Sequence, residues 1–275
     1  MIFNRAPDFT VLMAVYGGDN PGLFERAVQS VFSNTIQPKD FILVVDGPVG
    51  GELALLILSL HRKFPMRIVW LSMNGGLANA LNAGLDLVQT EWVLRADADD
   101  YNLPYRFERQ LSYMREGIDL FGSAIVEVDK GGQRLGCRVP PCEAGEISRF
   151  AKLRNPFNHM TVGFRVDLAR CCGGYPNIHL KEDYALWASM LLHGAQVANS
   201  AEVLVEATAG RDMYMRRGGW RYAKAEIDLQ IHLVRCRVKG AFSACLHGGA
   251  RAMIFLAPGV VRSFIYEKML RHKRE

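Results

Sequence analysis

Along the first hundred residues, apolar positions come in short continuous runs separated by amphipathic stretches. Phe9 to Val15 is one such run and Phe41 to Val45 is another. Each reads as a strand covered on both faces, because a half-exposed strand would alternate apolar and polar side chains. Between them Leu23, Phe24, Ala27, Val28, Val31 and Phe32 recur at helical spacing. The alternation continues with a helix over Glu52 to Phe64, a strand over Arg67 to Leu71, a helix from Leu77 to Val88 and a strand over Trp92 to Leu94. Strands and helices joined by short connections predict a parallel sheet wrapped by helices, since parallel neighbours need a crossover. In open sheets of this kind, ligands bind beyond the carboxyl ends of the strands. Asp46 follows one strand directly and Asp97, Asp99 and Asp100 follow another, so both groups are expected at that edge.

After residue 118 the pattern changes. Asp119 to Val128 and Gln133 to Val139 read as two strands joined by a turn at Asp129-Lys130-Gly131-Gly132. A short helix (Ala144 to Lys152), a strand (Met160 to Phe164) and a helix (Glu182 to His193) follow, with weak strands at Gln196 to Asn199 and Val203 to Glu206. From Trp220 the chain reads helical to its end, broken at Lys239-Gly240 and Pro258-Gly259.

The chain has 275 residues, 49% hydrophobic and 22% charged, which suits one large α/β domain with a helical appendage. Six cysteines occur without a C-x-x-C pair, as expected of reduced thiols in the cytosol. Pro7 and Asp8 interrupt the N-terminal apolar run, and no small-residue cleavage site follows it, so it is expected to be a buried strand and not a leader. The net charge is +5, and basic residues crowd the last third, from Arg211, Arg216, Arg217, Arg221 and Lys224 to Lys273 and Arg274. That asymmetry suits anionic partners: a diphosphate, an acidic membrane face or, ranked last for want of any motif, nucleic acid. Ala241 to Leu270 mixes apolar and basic residues, but its longest apolar run is too short for a spanning helix, which needs about 20 residues. Two readings stand for this segment: it lies in a membrane interface, or it packs on the domain or a second subunit.

Asp97, Asp99 and Asp100 place three carboxylates in four residues. Such a cluster can be a solvated turn, a site for a divalent cation that carries phosphates, or an acid–base pair for glycoside hydrolysis. The buried strand before it weakens the first reading. Unit charges about 4 Å apart interact by roughly 4 kcal/mol at an effective dielectric near 20, so bare carboxylates repel a diphosphate and a cation between them reverses the sign. Nothing in a tight Asp-x-Asp turn favours a raised acid facing a second carboxylate across a cleft.

These residues resemble the inverting glycosyltransferases of family 2, which have the GT-A fold. The resemblance covers roughly residues 9 to 210 and rests on motifs in order. Thr10 to Tyr16 is similar to the family's opening strand, and Val44-Val45-Asp46-Gly47 to its second. Asn74-Gly75-Gly76-Leu77-Ala78-Asn79-Ala80-Leu81-Asn82 is similar to its N-x-G-x-x-x-A-x-N segment. Leu94-Arg95-Ala96-Asp97-Ala98-Asp99-Asp100 resembles its Asp-x-Asp motif, and Lys181-Glu182-Asp183-Tyr184 its acidic E-D motif. The second strand carries a single aspartate where many relatives carry two acidic residues. The later Q-x-x-R-W motif is absent as such, with Arg216-Arg217-Gly218-Gly219-Trp220-Arg221 in its place.

The resemblance implies a GT-A catalytic domain over residues 1–210: a mostly parallel nucleotide-binding sheet in a half ending near 118, an acceptor half over 119–210, and a helical segment over 211–275. It implies an inverting transfer of one sugar from a nucleotide-diphosphate donor, UDP by default, to a hydroxyl of a glycan or lipid-linked acceptor in exopolysaccharide or O-antigen assembly. The expected location is the cytoplasm, with or without peripheral contact at the inner face of the membrane. Nucleotide-sugar contacts fall on Ala14, Val15, Tyr16, Asp46, Gly76, Asn79, Asp97 and Ala98. Asp99 is the expected ligand of Mn2+ or Mg2+, and Asp183 the expected general base. Glu182-Asp183 also suits a helix start on the dipole alone. His159, Glu182, Arg217 and Trp220 are candidates for the acceptor or the diphosphate, against a structural role for the histidine and a solvated or lipid-facing surface for the arginines. A sugar-phosphate nucleotidyltransferase is the first rival, but the Gly17-Gly18-Asp19-Asn20-Pro21-Gly22 loop lacks the basic residue it needs. A non-catalytic sugar-nucleotide-binding protein is the second.

Overall fold

The computed structural model describes residues 7–129, 131–209 and 218–257. The chain begins with β1 (Phe9–Tyr16), α1 (Pro21–Phe32), β2 (Asp40–Asp46), α2 (Gly51–Lys63), β3 (Arg67–Trp70), α3 (Leu77–Leu85) and β4 (Trp92–Arg95). It continues with β5 (Tyr101–Asn102), α4 (Arg106–Arg115), β6 (Leu120–Val128), β7 (Arg134–Arg138) and α5 (Ala144–Phe150). A 3-10 turn (His159–Thr161), β8 (Gly163–Arg165), α6 (Val166–Cys171), α7 (Glu182–Leu192) and β9 (Val197–Thr208) complete the sheet region. Two helices follow, α8 (Trp220–Arg235) and α9 (Ala241–Leu256).

The strands form one sheet in the order β3-β2-β1-β4-β8-β6-β9-β5, with β7 paired to β6 outside that path. The β3-β2-β1-β4 half is parallel throughout. Beyond it the sheet is mixed: β8 runs antiparallel to β4 and β6, β6 pairs parallel with β9, and β5 runs antiparallel to β9. Strands β1, β2 and β4 of the parallel half are covered on both faces, which is why they read as apolar runs, whereas the edge strand β3 exposes Arg67 and Trp70. Phe9, Val11, Met13, Val15, Leu43 and Val45 pack with α1 and α2, whereas Leu12, Ile42 and Val44 pack with α3 and with Leu186, Trp187 and Met190 of α7. Helix α1 starts as its sequence suggests: Asn20 accepts from the Leu23 amide at 3.1 Å and Pro21 sits at the first position.

Several expected elements differ. The strand expected over Met160 to Phe164 is a 3-10 turn followed by the short β8, because Thr161 Oγ1 bonds back to the Asn158 carbonyl (2.8 Å). The two weak strands near 196–206 are one strand, interrupted where its register with β6 shifts at Ser123 to Ile125. Helix α3 ends at Leu85, short of Val88. Helices α4 and α6 were not expected. The helical reading of 258–275 lies outside the described residues, and among those described no helix is long and apolar enough to cross a membrane.

Candidate active site

Strand β4 carries Arg95 into the core and delivers the acidic cluster just past its end. Arg95 is 1% exposed, and its guanidinium bonds to a carboxylate oxygen of Asp97 and to the backbone carbonyl of Ala96. A second buried arginine, Arg106 on α4, supports it from below, donating to the Arg95 carbonyl at 2.6 Å and to Asn102 and Gln110. Arg106 is itself depressed to about 9, first by burial and then by Arg95. Two cations thus lie beneath a group of carboxylates.

Asp99 is pushed up to about 7, first by burial and then by Asp97 and Asp19. Asp100 is 4% exposed and is raised in the same way by burial, Asp97 and Asp99. It accepts from the Thr208 amide at 2.7 Å, and Thr208 Oγ1 donates to the Asp99 carbonyl at 2.5 Å, so β9 holds the turn. Asp19 joins the group from the loop after β1: it accepts from the Tyr16 amide (2.9 Å) and is raised to about 6 by burial, with Asp97 adding to the rise. The cluster is therefore Asp19, Asp97, Asp99 and Asp100 around Arg95.

At the end of β2, Asp46 is buried. Its two oxygens accept from the amides of Gly75 (2.8 Å) and Gly76 (2.9 Å), and its carbonyl accepts from Asn74 Nδ2 (3.1 Å). Gly76 has φ +86°, a left-handed conformation that glycine adopts without strain. Asp46 thus fixes the loop that starts α3. Asn79 is exposed and bonds to the Gly75 carbonyl (2.8 Å). Val15 and Ala98 lie in the core, so only their backbones are free to meet a ligand. Ala14 is partly buried, and the exposed Tyr16 ring lies over Gly18.

The second side of the site is built on α7. Asp183 accepts from Asn155 Nδ2 at 2.6 Å. Glu182 is 5% exposed and is pushed up to about 7, first by burial and then by Asp183. The loop before α7 is tied to α3 by a reciprocal pair: Asn82 Nδ2 donates to the Tyr175 carbonyl (2.9 Å) and Asn82 Oδ1 accepts from its amide (2.8 Å). Between the two sides lie His159 and Tyr175, whose His159 Nε2 and hydroxyl oxygen are 3.3 Å apart. His159 is pushed down to about 4, first by burial and then by Arg95, while Asp183 and Asp97 pull the other way. Tyr175 is raised, first by burial, with Asp183, Glu182 and Asp97 contributing and Arg95 opposing. Asp97 and Asp183 therefore both lie within electrostatic reach of these two rings.

The sequence reading did not single out Asp19, Arg95, Arg106, Asn155 or Tyr175. Arg95 stood inside the quoted Asp-x-Asp stretch, and a lone arginine in a buried strand was its available signal. Trp220 opens α8 and is 69% exposed, and Arg217 lies outside the described residues. The donor set of the acidic cluster is carboxylate oxygen, as a hard cation requires. Among the described residues no group of three or more His, Cys, Asp or Glu side chains is arranged to hold a metal, so a cation here would draw its remaining ligands from phosphate and water.

The model of glycosyl transferase family 2 matches residues 10–168. The chain belongs to this family. The amylovoran biosynthesis glycosyltransferase AmsE of Erwinia amylovora is 37% identical over 262 residues, 94% of this chain and 98% of the relative. A UDP-Gal:alpha-D-GlcNAc-diphosphoundecaprenol beta-1,3-galactosyltransferase of Escherichia coli is 36% identical over 269 residues, 96% and 97% of the two chains. Among solved structures, S. aureus TarS 1-349 in complex with UDP-GlcNAc superposes with a TM-score of 0.64 at 16% identity, covering 86% of this chain and 69% of that one. The mannosyltransferase PcManGT of Pyrobaculum calidifontis in complex with GDP-Man and Mn2+ gives 0.65 at 14% identity, covering 98% and 82%. This family 2 glycosyltransferase therefore has the α/β GT-A fold of these neighbours, with the mixed sheet described above.

Proposed function

We propose that this protein transfers one sugar from a UDP-sugar to a hydroxyl of a lipid-linked glycan during polysaccharide assembly, with Asp183 as general base. One observation supports the reading: His159 and Tyr175, whose ring nitrogen and hydroxyl are 3.3 Å apart, both lie within electrostatic reach of Asp97 and of Asp183, as a site shared by the acidic cluster and the candidate base requires. Support for the donor and acceptor comes from the galactosyltransferase relative, whose name specifies UDP-Gal and a diphosphoundecaprenol acceptor, and from the UDP-GlcNAc complex of the TarS neighbour.

The roles follow from the contacts. Asp99, with Asp97, would hold a divalent cation. When bound, that cation offsets the charge that grows on a departing diphosphate. Arg95 keeps Asp97 in place from beneath. Asp46 holds the Gly75-Gly76 backbone at the end of β2, and in this reading Ala14, Val15, Tyr16, Asn79 and the Ala98 backbone contact the nucleotide sugar. Asn155 holds the Asp183 carboxylate by one oxygen, leaving the other to take the acceptor proton. His159 stays neutral near pH 7, so it offers a hydrogen bond without adding charge to the cleft. The catalytic domain spans 1–210 in this reading, and Arg217 and Trp220 remain its candidates for contact with the acceptor or the diphosphate.

Helices α8 and α9 suit contact with a membrane surface that holds the acceptor. They expose Trp220, Ile227, Ile231, Phe242, Leu246 and Met253, and α8 adds the exposed cations Arg221, Lys224 and Arg235.

The test is transfer of labelled sugar from a panel of UDP-sugars, with Mn2+, to a synthetic GlcNAc-diphospholipid. Glycosylated lipid is the expected product. Formation of nucleotide sugar from UTP and a sugar 1-phosphate would establish the nucleotidyltransferase instead, and UDP-sugar binding without turnover would establish a non-catalytic binder.

A further inference from the structure

Glu226 on α8 is fully buried, yet it carries a charge. Burial pushes its carboxyl up, but Lys181 and Arg251 outweigh that and leave it below the ordinary carboxylate value. Its neighbours come from three directions. Lys181 Nζ lies 3.4 Å from Oε2, Arg251 Nη1 lies 3.3 Å from Oε1, and Gln230 Nε2 donates to Oε1 at 2.8 Å. Lys239 Nζ in turn donates to Gln230 Oε1 at 3.0 Å.

Two of these partners lead directly to Asp183. Lys181 is the residue that caps α7, immediately before Glu182 and Asp183. No side chain caps that helix, and the preceding Leu180 holds φ +55°, a conformation a leucine rarely adopts. Contacts from outside the helix do reach this first turn, among them the Lys181–Glu226 pair and the bond from Tyr184 to the Ala151 carbonyl. Arg251, on α9, donates through Nη2 to the Leu153 carbonyl at 2.6 Å. Leu153 lies just before Asn155, whose amide holds the Asp183 carboxylate. Tyr184 reaches back to the Ala151 carbonyl in the same loop. The two segments that meet at Asp183 are thus both anchored to one buried carboxylate on the C-terminal helix pair.

We infer that Glu226, through its ion pairs with Lys181 and Arg251, is a positioning residue for the Asp183 base, coupling the C-terminal helices to the catalytic loop. The inference rests on the reading of Asp183 as base. Glu226 has no exposed surface to offer a donor or an acceptor. Its effect is on the geometry of proton removal, where a displacement of about 1 Å can cost up to roughly a hundredfold in rate. The donor side, at β1, β2 and β4, does not depend on it.

The test uses the full-length protein and compares Glu226→Gln, Lys181→Met and Lys181→Arg. Transfer is read as kcat per UDP-binding-competent site, with donor KM and UDP affinity measured alongside. Glu226→Gln and Lys181→Met are expected to lower kcat roughly tenfold or more while UDP affinity stays within about twofold. Lys181→Arg keeps the ion pair and is expected to restore most of the rate. The double variant Glu226→Gln/Lys181→Met is expected to lose no more than the worse single variant, because the Lys181–Glu226 pair is already lost in each. A wild-type kcat per competent site in Lys181→Met overturns the inference, as does a loss that falls equally on UDP binding. If Glu226→Gln fails to fold, the Lys181 pair decides alone, since that side chain is partly exposed. Asp183→Asn is the control: if it retains wild-type turnover, the base assignment itself fails. If it is inactive while Lys181→Met is normal, the positioning inference alone fails.

Discussion

Replacing Arg95 with methionine removes the cation beneath the acidic cluster while keeping most of the side-chain volume. Arg95 is 1% exposed, and Asp97, its ion-pair partner, has a side chain only 25% exposed, so water replaces little of what is lost. A contact of this kind at about 4 Å is worth roughly 4 kcal/mol at an effective dielectric near 20, and breaking a buried pair leaves the partner charge uncompensated at a cost of about 3–5 kcal/mol. Arg95 also lowers Asp19, Asp99 and Asp100, so its removal raises all three further. The pH dependence has a definite sign. Asp99 is already raised to about 7, so the folded state holds its proton where the unfolded chain releases it. Stability from that proton is present at low pH and lost as pH rises through about 7. Without Arg95 the loss continues to higher pH, so the gap between variant and wild type widens as pH rises above about 7. Urea unfolding with chelator present, at pH 5 and pH 8, measures this. A deficit of about 3–5 kcal/mol at pH 8 that shrinks at pH 5 is expected. A variant within about 1 kcal/mol of wild type at pH 8, or a deficit that grows on acidification, would refute the reasoning.

Asp46→Ala removes the acceptor for the Gly75 and Gly76 amides, so thermal unfolding should show a loss of about 2–3 kcal/mol together with weaker UDP binding. Unchanged UDP affinity would separate that loop from the nucleotide. His159 is held near 4 against an ordinary 6.5, so its contribution to stability is complete above 6.5 and is lost as pH falls through about 4. Over that window His159→Phe should remove a slope worth about 3 kcal/mol. Glu182, raised to about 7 from 4.5, acts in the opposite sense, so the comparison is wild type against His159→Phe at each pH.

The parallel half of the sheet was legible because burial on both faces leaves runs such as Val11 to Val15, Phe41 to Val45 and Trp92 to Leu94 unbroken by polar residues. The same logic placed Asp46 and Asp97 to Asp100 at the carboxyl ends of β2 and β4, where the structure has them. Helix α4 was not legible because its buried face includes Arg106 and Gln110, which support Arg95 and Thr161 by hydrogen bonds, so its apolar stripe is interrupted. Helix α6 and strands β5 and β8 are too short for a period to show. Strand β9 looked broken because its polar Ser200 to Glu202 stretch falls where the β6 register shifts. In the site, motif positions were visible but their supports were not. Asn155 and Glu226 act on Asp183 and Lys181 from distant parts of the chain, and no local pattern links them.

Every role assigned above depends on an acceptor hydroxyl giving its proton to Asp183. The most direct measurement is single-turnover sugar transfer by Asp183→Asn, with UDP-sugar affinity determined on the same preparation. The account predicts affinity within about twofold of wild type and transfer reduced by roughly a hundredfold or more. Transfer at the wild-type rate would contradict it.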